Sequence, residues 1–397
     1  MPEYRSGVHF LQIPGPSNVP ERVLRAIDKS TIDHRGPEFG ALLREIYELL
    51  RPVFGTTGPV LVFPGSGTGA WEAALVNTLS PGDRILMYET GQFATLWNRL
   101  ASRLGLQSEL IAGDWRHGAD IDEIAKRLDA DKKHEIKAVC IVHNETATGV
   151  TSDVPAVRAA LDRAKHPALL MVDTISSVGS LEYRHDEWGV DVTIGGSQKG
   201  LMLPPGLGFN AISQKALAAS KNARLPHAYW AWDDYLEQMQ GGYTPYTPAT
   251  NLLYGLREAL CMLQEEGLPN VWARHHRLAA ATRRAVGAWG LEIQALDPRQ
   301  YSDTVTAVRM PDHVDADAFR TLVLKRFNMS LGTGLGKVKG RVFRIGHLGW
   351  FNDLMLAGAL CGVQMALDVA GIPHGEGVGA ALAYLSGTEA PQLTAAV

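Results

Sequence analysis

The sequence predicts an α/β protein: a mostly parallel sheet with helices on both faces, followed by a smaller C-terminal α+β domain. Three observations predict it. Short runs that are apolar throughout alternate with longer segments of helical period, the pattern of strands buried on both faces of a parallel sheet. The chain has 397 residues, 46% of them hydrophobic and 20% charged, which is enough to bury a large core. Near residue 250 the alternation gives way to two long helical segments, and then to strand-like stretches flanking a helix.

The elements follow in order. Residues 1–18 read as an extended segment ending in Pro14-Gly15-Pro16-Ser17-Asn18. Two prolines around a glycine forbid a helix there, and Ser17 or Asn18 is placed to cap a helix starting near Pro20. Residues 19–255 read as the large domain. Its strands are Leu61-Val62-Phe63, Arg84 to Tyr88, Ala138 to Val142, Leu169 to Val172, Val190 to Ile194 and Gly206 to Ile212. Helical segments such as Ala70 to Leu79 and Val154 to Ala164 separate several of them. The long helices are Leu252 to Glu266 and Val271 to Trp289. Residues 256–385 read as the small domain, with strands Thr304 to Val308 and Val342 to Ile345, a helix Ala316 to Arg326 and a last helix Asn352 to Val369. The small-residue-rich stretch from about Gly375, and the tail 386–397 above all, reads as partly disordered.

Composition excludes several classes of function. Lys and Arg number 38 against 42 Asp and Glu, a formal charge of −4, so the chain lacks the basic stripe that nucleic-acid binding requires. The three cysteines, Cys140, Cys261 and Cys361, are far apart and odd in number, which fits neither a disulfide framework nor a thiolate metal site. The N-terminus carries no apolar leader, and the longest apolar stretch, Met355 to Val363, is too short for a membrane span. The expectation is a soluble, reduced, cytoplasmic protein with no membrane partner.

Ligands of such a sheet bind at the carboxyl ends of its strands, and three signals fall there. Pro64-Gly65-Ser66-Gly67-Thr68-Gly69 lies between a strand and a helix. Glycines admit an anion to the backbone, Ser66 and Thr68 add hydroxyls, and the helix N-terminus favours negative charge, so a phosphate is the natural guest. A tight turn without a ligand explains the string nearly as well. Asp173 closes an apolar strand, where a carboxylate is unfavourable unless it meets a cation or caps the next turn. Lys199, in Ser197-Gln198-Lys199-Gly200, leaves another apolar strand between glycines; a solvated loop lysine is the ordinary alternative. One ligand calls for all three. Pyridoxal 5′-phosphate combines a phosphate, a ring nitrogen kept protonated by an acid, and an aldehyde that captures a lysine. The polar stretch His143-Asn144-Glu145-Thr146-Ala147-Thr148-Gly149-Val150 ends a further strand, and Thr148 is suited to donate to the ring hydroxyl or the phosphate.

Pro14-Gly15-Pro16, the glycine turn, the 143–149 stretch, Asp173, Ser197-Gln198-Lys199 and Arg344-Ile345-Gly346 occur in an order that resembles the class V aminotransferases of fold type I. Among these the chain is most similar to the serine–glyoxylate and alanine–glyoxylate enzymes, over roughly residues 9 to 385. The resemblance implies that Lys199 bonds the cofactor and Asp173 pairs with its ring nitrogen. It implies that Ser66, Gly67, Thr68 and Gln198 hold the phosphate, that Ile175 packs on a ring face and that Thr148 sits near the ring. It also implies a homodimer, or a tetramer built from it. In that assembly a partner's Gly242-Tyr243-Thr244-Pro245-Tyr246-Thr247-Pro248 segment completes the phosphate site, through Thr247 and either Tyr243 or Tyr246. Arg344 would bind the substrate carboxylate with its planar fork, near Gly15 and the entrance residues His34 and Arg35.

The implied reaction is a two-half transamination in which Lys199 moves a proton between substrate and cofactor carbons. The implied acceptor is glyoxylate, which leaves as glycine; serine is the favoured donor, with alanine and aspartate open. The chain departs from the family at Thr90, where an aromatic residue usually stacks on the ring; either a nearby aromatic such as Phe93 substitutes or the ring is less firmly held. Cysteine desulfurases share this broad class but need a reactive cysteine on a mobile loop, whereas Cys261 and Cys361 fall within apolar helical segments. A nicotinamide-dependent oxidoreductase built on the glycine turn leaves Lys199 and Arg344 unexplained. A non-catalytic ligand-binding module is the remaining alternative.

Overall fold

In the computed structural model, residues 6–388 are described. A seven-stranded sheet forms in the order Val60–Gly65, Gly206–Ile212, Val192–Gly196, Leu169–Asp173, Ile136–Val142, Arg84–Tyr88, Gln107–Ile111. Gly206–Ile212 runs antiparallel to both neighbours. The other pairings are parallel. Side chains alternate in direction along a strand, and here both faces are covered. Leu61 and Phe63 pack on the face that meets the helix Gly67–Thr78, while Val60 and Val62 meet the helices Pro37–Phe54 and Thr250–Glu266. This double burial is why the strands read as unbroken apolar runs.

A second sheet has the order Phe10–Gln12, Met329–Thr333, Val342–Gly346, Val305–Arg309, Glu292–Ile293. It packs on the helices Leu268–Ala288, Ala316–Phe327, Asp353–Val369 and Gly377–Leu385 around Phe319, Phe343, Leu360 and Val363. Its first strand comes from the extended N-terminal segment, with Phe10, Leu11 and Gln12 beside Met329, Ser330 and Leu331. Sequence reasoning missed this pairing and the strands Gln107–Ile111 and Met329–Thr333. Both of those carry polar residues that interrupt the apolar run.

Several expectations shift. The strand expected over Val190–Ile194 lies at Val192–Gly196, because Gly195 and Gly196 continue the ladder against Phe209 and Gly208. Ser17 and Asn18 do not cap the first helix, Glu21–Ile27, whose N-cap is Pro20. Instead the Ser17 hydroxyl donates to the Lys199 carbonyl at 2.9 Å, and the Asn18 amide donates to the Leu11 carbonyl at 3.1 Å. The small-residue stretch after Gly375 is helical over Gly377–Leu385, where Gly377 lies against Trp289 and Ala381 is buried. The expected tail beyond residue 388 lies outside the described residues. Among the described residues, no helix is long and apolar enough to cross a membrane.

Candidate active site

The carboxyl ends of Val60–Gly65, Leu169–Asp173 and Val192–Gly196 converge on a cavity of about 220 Å3 lined by Ser66, Gly67, Asp173, Ile175, Gln198 and Lys199, among others. Asp173 is the last residue of its strand and Lys199 lies three residues past the end of the next, so parallel pairing brings the two residues to one edge.

Lys199 is buried, not a solvated loop lysine. Its amine donates to the Pro14 carbonyl, so the extended N-terminal segment lies across it. Burial and the nearby positive charge of Arg344 lower the amine to about 7, against the opposing pull of Asp173 and Glu145. Lys199 is therefore neutral in a large fraction of molecules near neutral pH, as a nucleophilic amine must be.

Asp173 is equally buried. Desolvation raises it to about 7, with the Glu145 charge adding to the rise. Two donors oppose this: the Ile175 amide at 2.8 Å to Oδ1 and the Trp71 indole at 2.9 Å to Oδ2. Asp173 thus closes its own turn and also faces the cavity.

The glycine turn is the first turn of a helix, Gly67–Thr78, rather than a loop before one. Ser66 is its N-cap and accepts from the Gly69 amide at 3.4 Å. The Gly67 and Thr68 amides precede the first intrahelical bond, so helix geometry leaves them available to an anion. A Cβ on Gly67 would stand 2.3 Å from Ile175 Cδ1, so a larger residue there would push the Ile175 side chain aside. Across the turn, the Gln198 side-chain oxygen is buried and has no hydrogen-bond partner among the described residues.

The 143–150 stretch forms a hairpin in which Asn144 and Glu145 pair with Thr151 and Val150. Alternation puts Asn144 and Thr146 on the cavity and turns Glu145 away. The Glu145 carboxylate accepts from the amides of Phe93, Ala94 and Ala147 at 3.0–3.3 Å, holding the start of the helix Gln92–Arg103. Arg344 lies on the strand Val342–Gly346 and is buried. Its Nη1 donates to the Thr146 carbonyl and its Nε to the Thr333 carbonyl, each at 2.8 Å. Burial lowers the guanidinium to about 10.

The structure brings together Gly15, Ser66, Gly67, Thr68, Asp173, Ile175, Gln198 and Lys199. It does not bring Thr148 to the cavity. The hairpin turn directs the Thr148 hydroxyl to the Thr90 carbonyl at 3.2 Å, and Thr146 takes the cavity position. His34 is half-buried in the turn before the helix Pro37–Phe54 and is not a lining residue. Tyr243, Tyr246 and Thr247 also lie away from their own chain's cavity. Tyr243 packs near Gly40, Tyr246 stacks on Tyr229 with centroids 5.1 Å apart, and Thr247 is exposed. Where the family places an aromatic residue, Thr90 is buried, and Phe93 and Trp71 line the cavity. Sequence reasoning missed Trp71, which reads as a core residue of an apolar helix. It also missed the role of Glu145, although a carboxylate just past a buried strand is the signal that singled out Asp173.

A neutralisable lysine, a buried carboxylate and open helix amides around one small cavity fit pyridoxal 5′-phosphate in kind. Comparison with known proteins agrees. The family model "Aminotransferase class-V" matches residues 9–338. The chain is 51% identical to the serine–glyoxylate aminotransferase of Methylorubrum extorquens, over 96% of this chain and 97% of that one. It is 46% identical to the L-aspartate–glyoxylate aminotransferase of Paracoccus denitrificans, over 97% and 98%. The crystal structure of pyridoxamine–pyruvate aminotransferase from Mesorhizobium loti superposes with a TM-score of 0.89 at 28% identity, covering 98% of this chain and all of that one. The fold is that of the fold type I enzymes, and the chain belongs to the class V aminotransferases, which depend on pyridoxal 5′-phosphate.

Proposed function

We propose that this enzyme moves the amino group of serine to glyoxylate, giving glycine and the corresponding 2-oxo acid. The observation that carries the reading is the placement of Arg344 and Lys199. Arg344 is gripped by the Thr333 and Thr146 carbonyls through Nε and Nη1, with a planar fork suited to a carboxylate, and its charge acts on the Lys199 amine. Arg344 does not itself line the cavity; it meets the carbonyl of Thr146, which does. The identity of about 50% to enzymes named serine–glyoxylate aminotransferases supports serine as the donor. The aspartate–glyoxylate relative, at 46% identity, keeps aspartate as the second reading.

When bound, the cofactor supplies an aldehyde that captures amines and a protonated ring that withdraws electrons from the reacting carbon. The chain's residues do the rest. Ser66, Gly67, Thr68 and Gln198 would hold the phosphate, Ile175 would pack against the ring, and Asp173 would keep the ring nitrogen protonated. Arg344 orients the substrate carboxylate. Lys199, as a neutral amine, takes the proton from the substrate carbon and returns it to the cofactor side.

We further propose a homodimer, or a tetramer of such dimers, in which the partner's segment 242–248 completes the phosphate site. The exposure of Thr247, away from its own cavity, supports this. A cytoplasmic location suits three cysteines that are all free thiols. Glycine formation from glyoxylate, measured with serine, alanine or aspartate as sole donor, tests the function. Serine is expected to be fastest; a rate with serine no higher than the donor-free background overturns the reading.

A further inference from the structure

Trp71 lies one turn into the helix that begins at the anion-binding turn. It is buried and lies flat against Trp97, with ring centroids 5.9 Å apart and planes 12° apart, so its rotamer is fixed by packing. That rotamer aims the indole N–H at Asp173 Oδ2 at 2.9 Å, while the Ile175 amide takes Oδ1. The Trp71 N–H has this acceptor, whereas the buried indole N–H of its stacking partner Trp97 has none among the described residues. The carboxyl that receives this bond feels the charges of Glu145 on the hairpin and of Lys199 past the neighbouring strand end, and the Arg344 charge acts on the lysine in turn.

We infer that Trp71 is a positioning residue for Asp173: its N–H fixes one carboxylate oxygen against the cavity and offsets the burial of its charge. The inference rests on the assignment of Asp173 as partner of the cofactor's ring nitrogen. Burial and the Glu145 charge favour a protonated Asp173; the Ile175 amide and the Trp71 indole act the other way. Without the indole, Asp173 keeps its proton to higher pH and holds a protonated ring less well.

The test is a double-mutant cycle of Trp71→Phe, Asp173→Asn and the double variant. Phe keeps an aromatic ring against Trp97 but has no N–H. Each apoprotein is checked by circular dichroism and then dialysed against pyridoxal 5′-phosphate to measure its affinity. The visible absorbance of each loaded protein is titrated with pH. A hydrogen bond to a charged group predicts that Trp71→Phe weakens cofactor binding by about tenfold and moves the spectral midpoint by about one pH unit. In the Asp173→Asn background both effects should vanish. Equal effects in both backgrounds, or none in either, overturn the inference. Wild-type affinity and midpoint in Asp173→Asn overturn the underlying Asp173 assignment, and the inference with it. If Trp71→Phe does not fold, Trp71→His, which retains an N–H, is compared with Trp71→Leu. The histidine variant should bind the cofactor more tightly, and equal losses overturn the inference.

Discussion

Gly15 and Lys199 are 184 positions apart in sequence and in contact in the fold: a Cβ on Gly15 would stand 2.4 Å from Lys199 Cδ and 2.8 Å from Nζ. Gly15 also has φ +106°, a conformation that favours glycine. The N-terminal segment therefore forms a wall of the lysine's site. Gly15→Ala is expected to lose about 1–3 kcal/mol of stability from strain and to displace the lysine. The check is the melting temperature of the apoprotein together with the rate of colour formation on adding cofactor. Wild-type values for both would remove Gly15 from the site.

Lys199→Ala should abolish covalent attachment of the cofactor and nearly all turnover. The loaded wild-type protein is expected to be yellow and to bleach with borohydride, leaving the cofactor bound to the chain. The variant should release it on denaturation. Mass spectrometry of the reduced proteins decides, and wild-type turnover in the variant would refute the assignment.

Arg344→Lys keeps the charge but loses the planar fork held by the Thr146 and Thr333 carbonyls. Losing one charge-assisted hydrogen bond of about 1.5–3 kcal/mol predicts KM for the amino acid rising by about tenfold to a hundredfold. Steady-state kinetics with serine at saturating glyoxylate measures it, and an unchanged KM would place the carboxylate elsewhere.

Asp173 has a folded-state pKa raised from 3.8 to about 7 by burial. A group raised in the folded state contributes stability that is present below the unfolded value and is lost as pH climbs through the folded one. In the apoprotein this contribution disappears between about pH 4 and 7. Asp173→Asn does not titrate, so the melting temperature of the variant should gain on wild type as pH rises from 5 to 8. A difference that is flat across this range would contradict the buried carboxyl.

Glu145→Ala removes the acceptor of the Phe93, Ala94 and Ala147 amides. Leaving buried donors unpaired predicts a loss of about 2–3 kcal/mol. Glu145→Gln, which retains one acceptor oxygen, should lose less. Urea unfolding of both variants tests the order, and the reverse order would count against the capping role.

Much of the fold and of the site was legible in the sequence because the signals were local. A strand buried on both faces must be apolar at every position, so Ala138–Val142 and Leu169–Val172 stand out without any knowledge of their neighbours. Asp173 and Lys199 stand out because a charge at the end of such a strand has to be explained. The glycine turn at 65–69 likewise carries its own backbone requirement. What only the tertiary structure decided were relations between distant segments. The strand Phe10–Gln12 is three residues long and acquires meaning only beside Met329–Leu331. Thr148 and Thr146 are the same residue type two positions apart, and only the hairpin's turn determines which hydroxyl reaches the cavity. Trp71 reads as core because its ring is core; that its N–H meets Asp173 depends on how a helix sits over a strand. Apolar burial and backbone conformation are properties of single residues, so sequence carries them. A hydrogen bond across the chain is a property of two residues at about 3 Å, and only packing sets that distance.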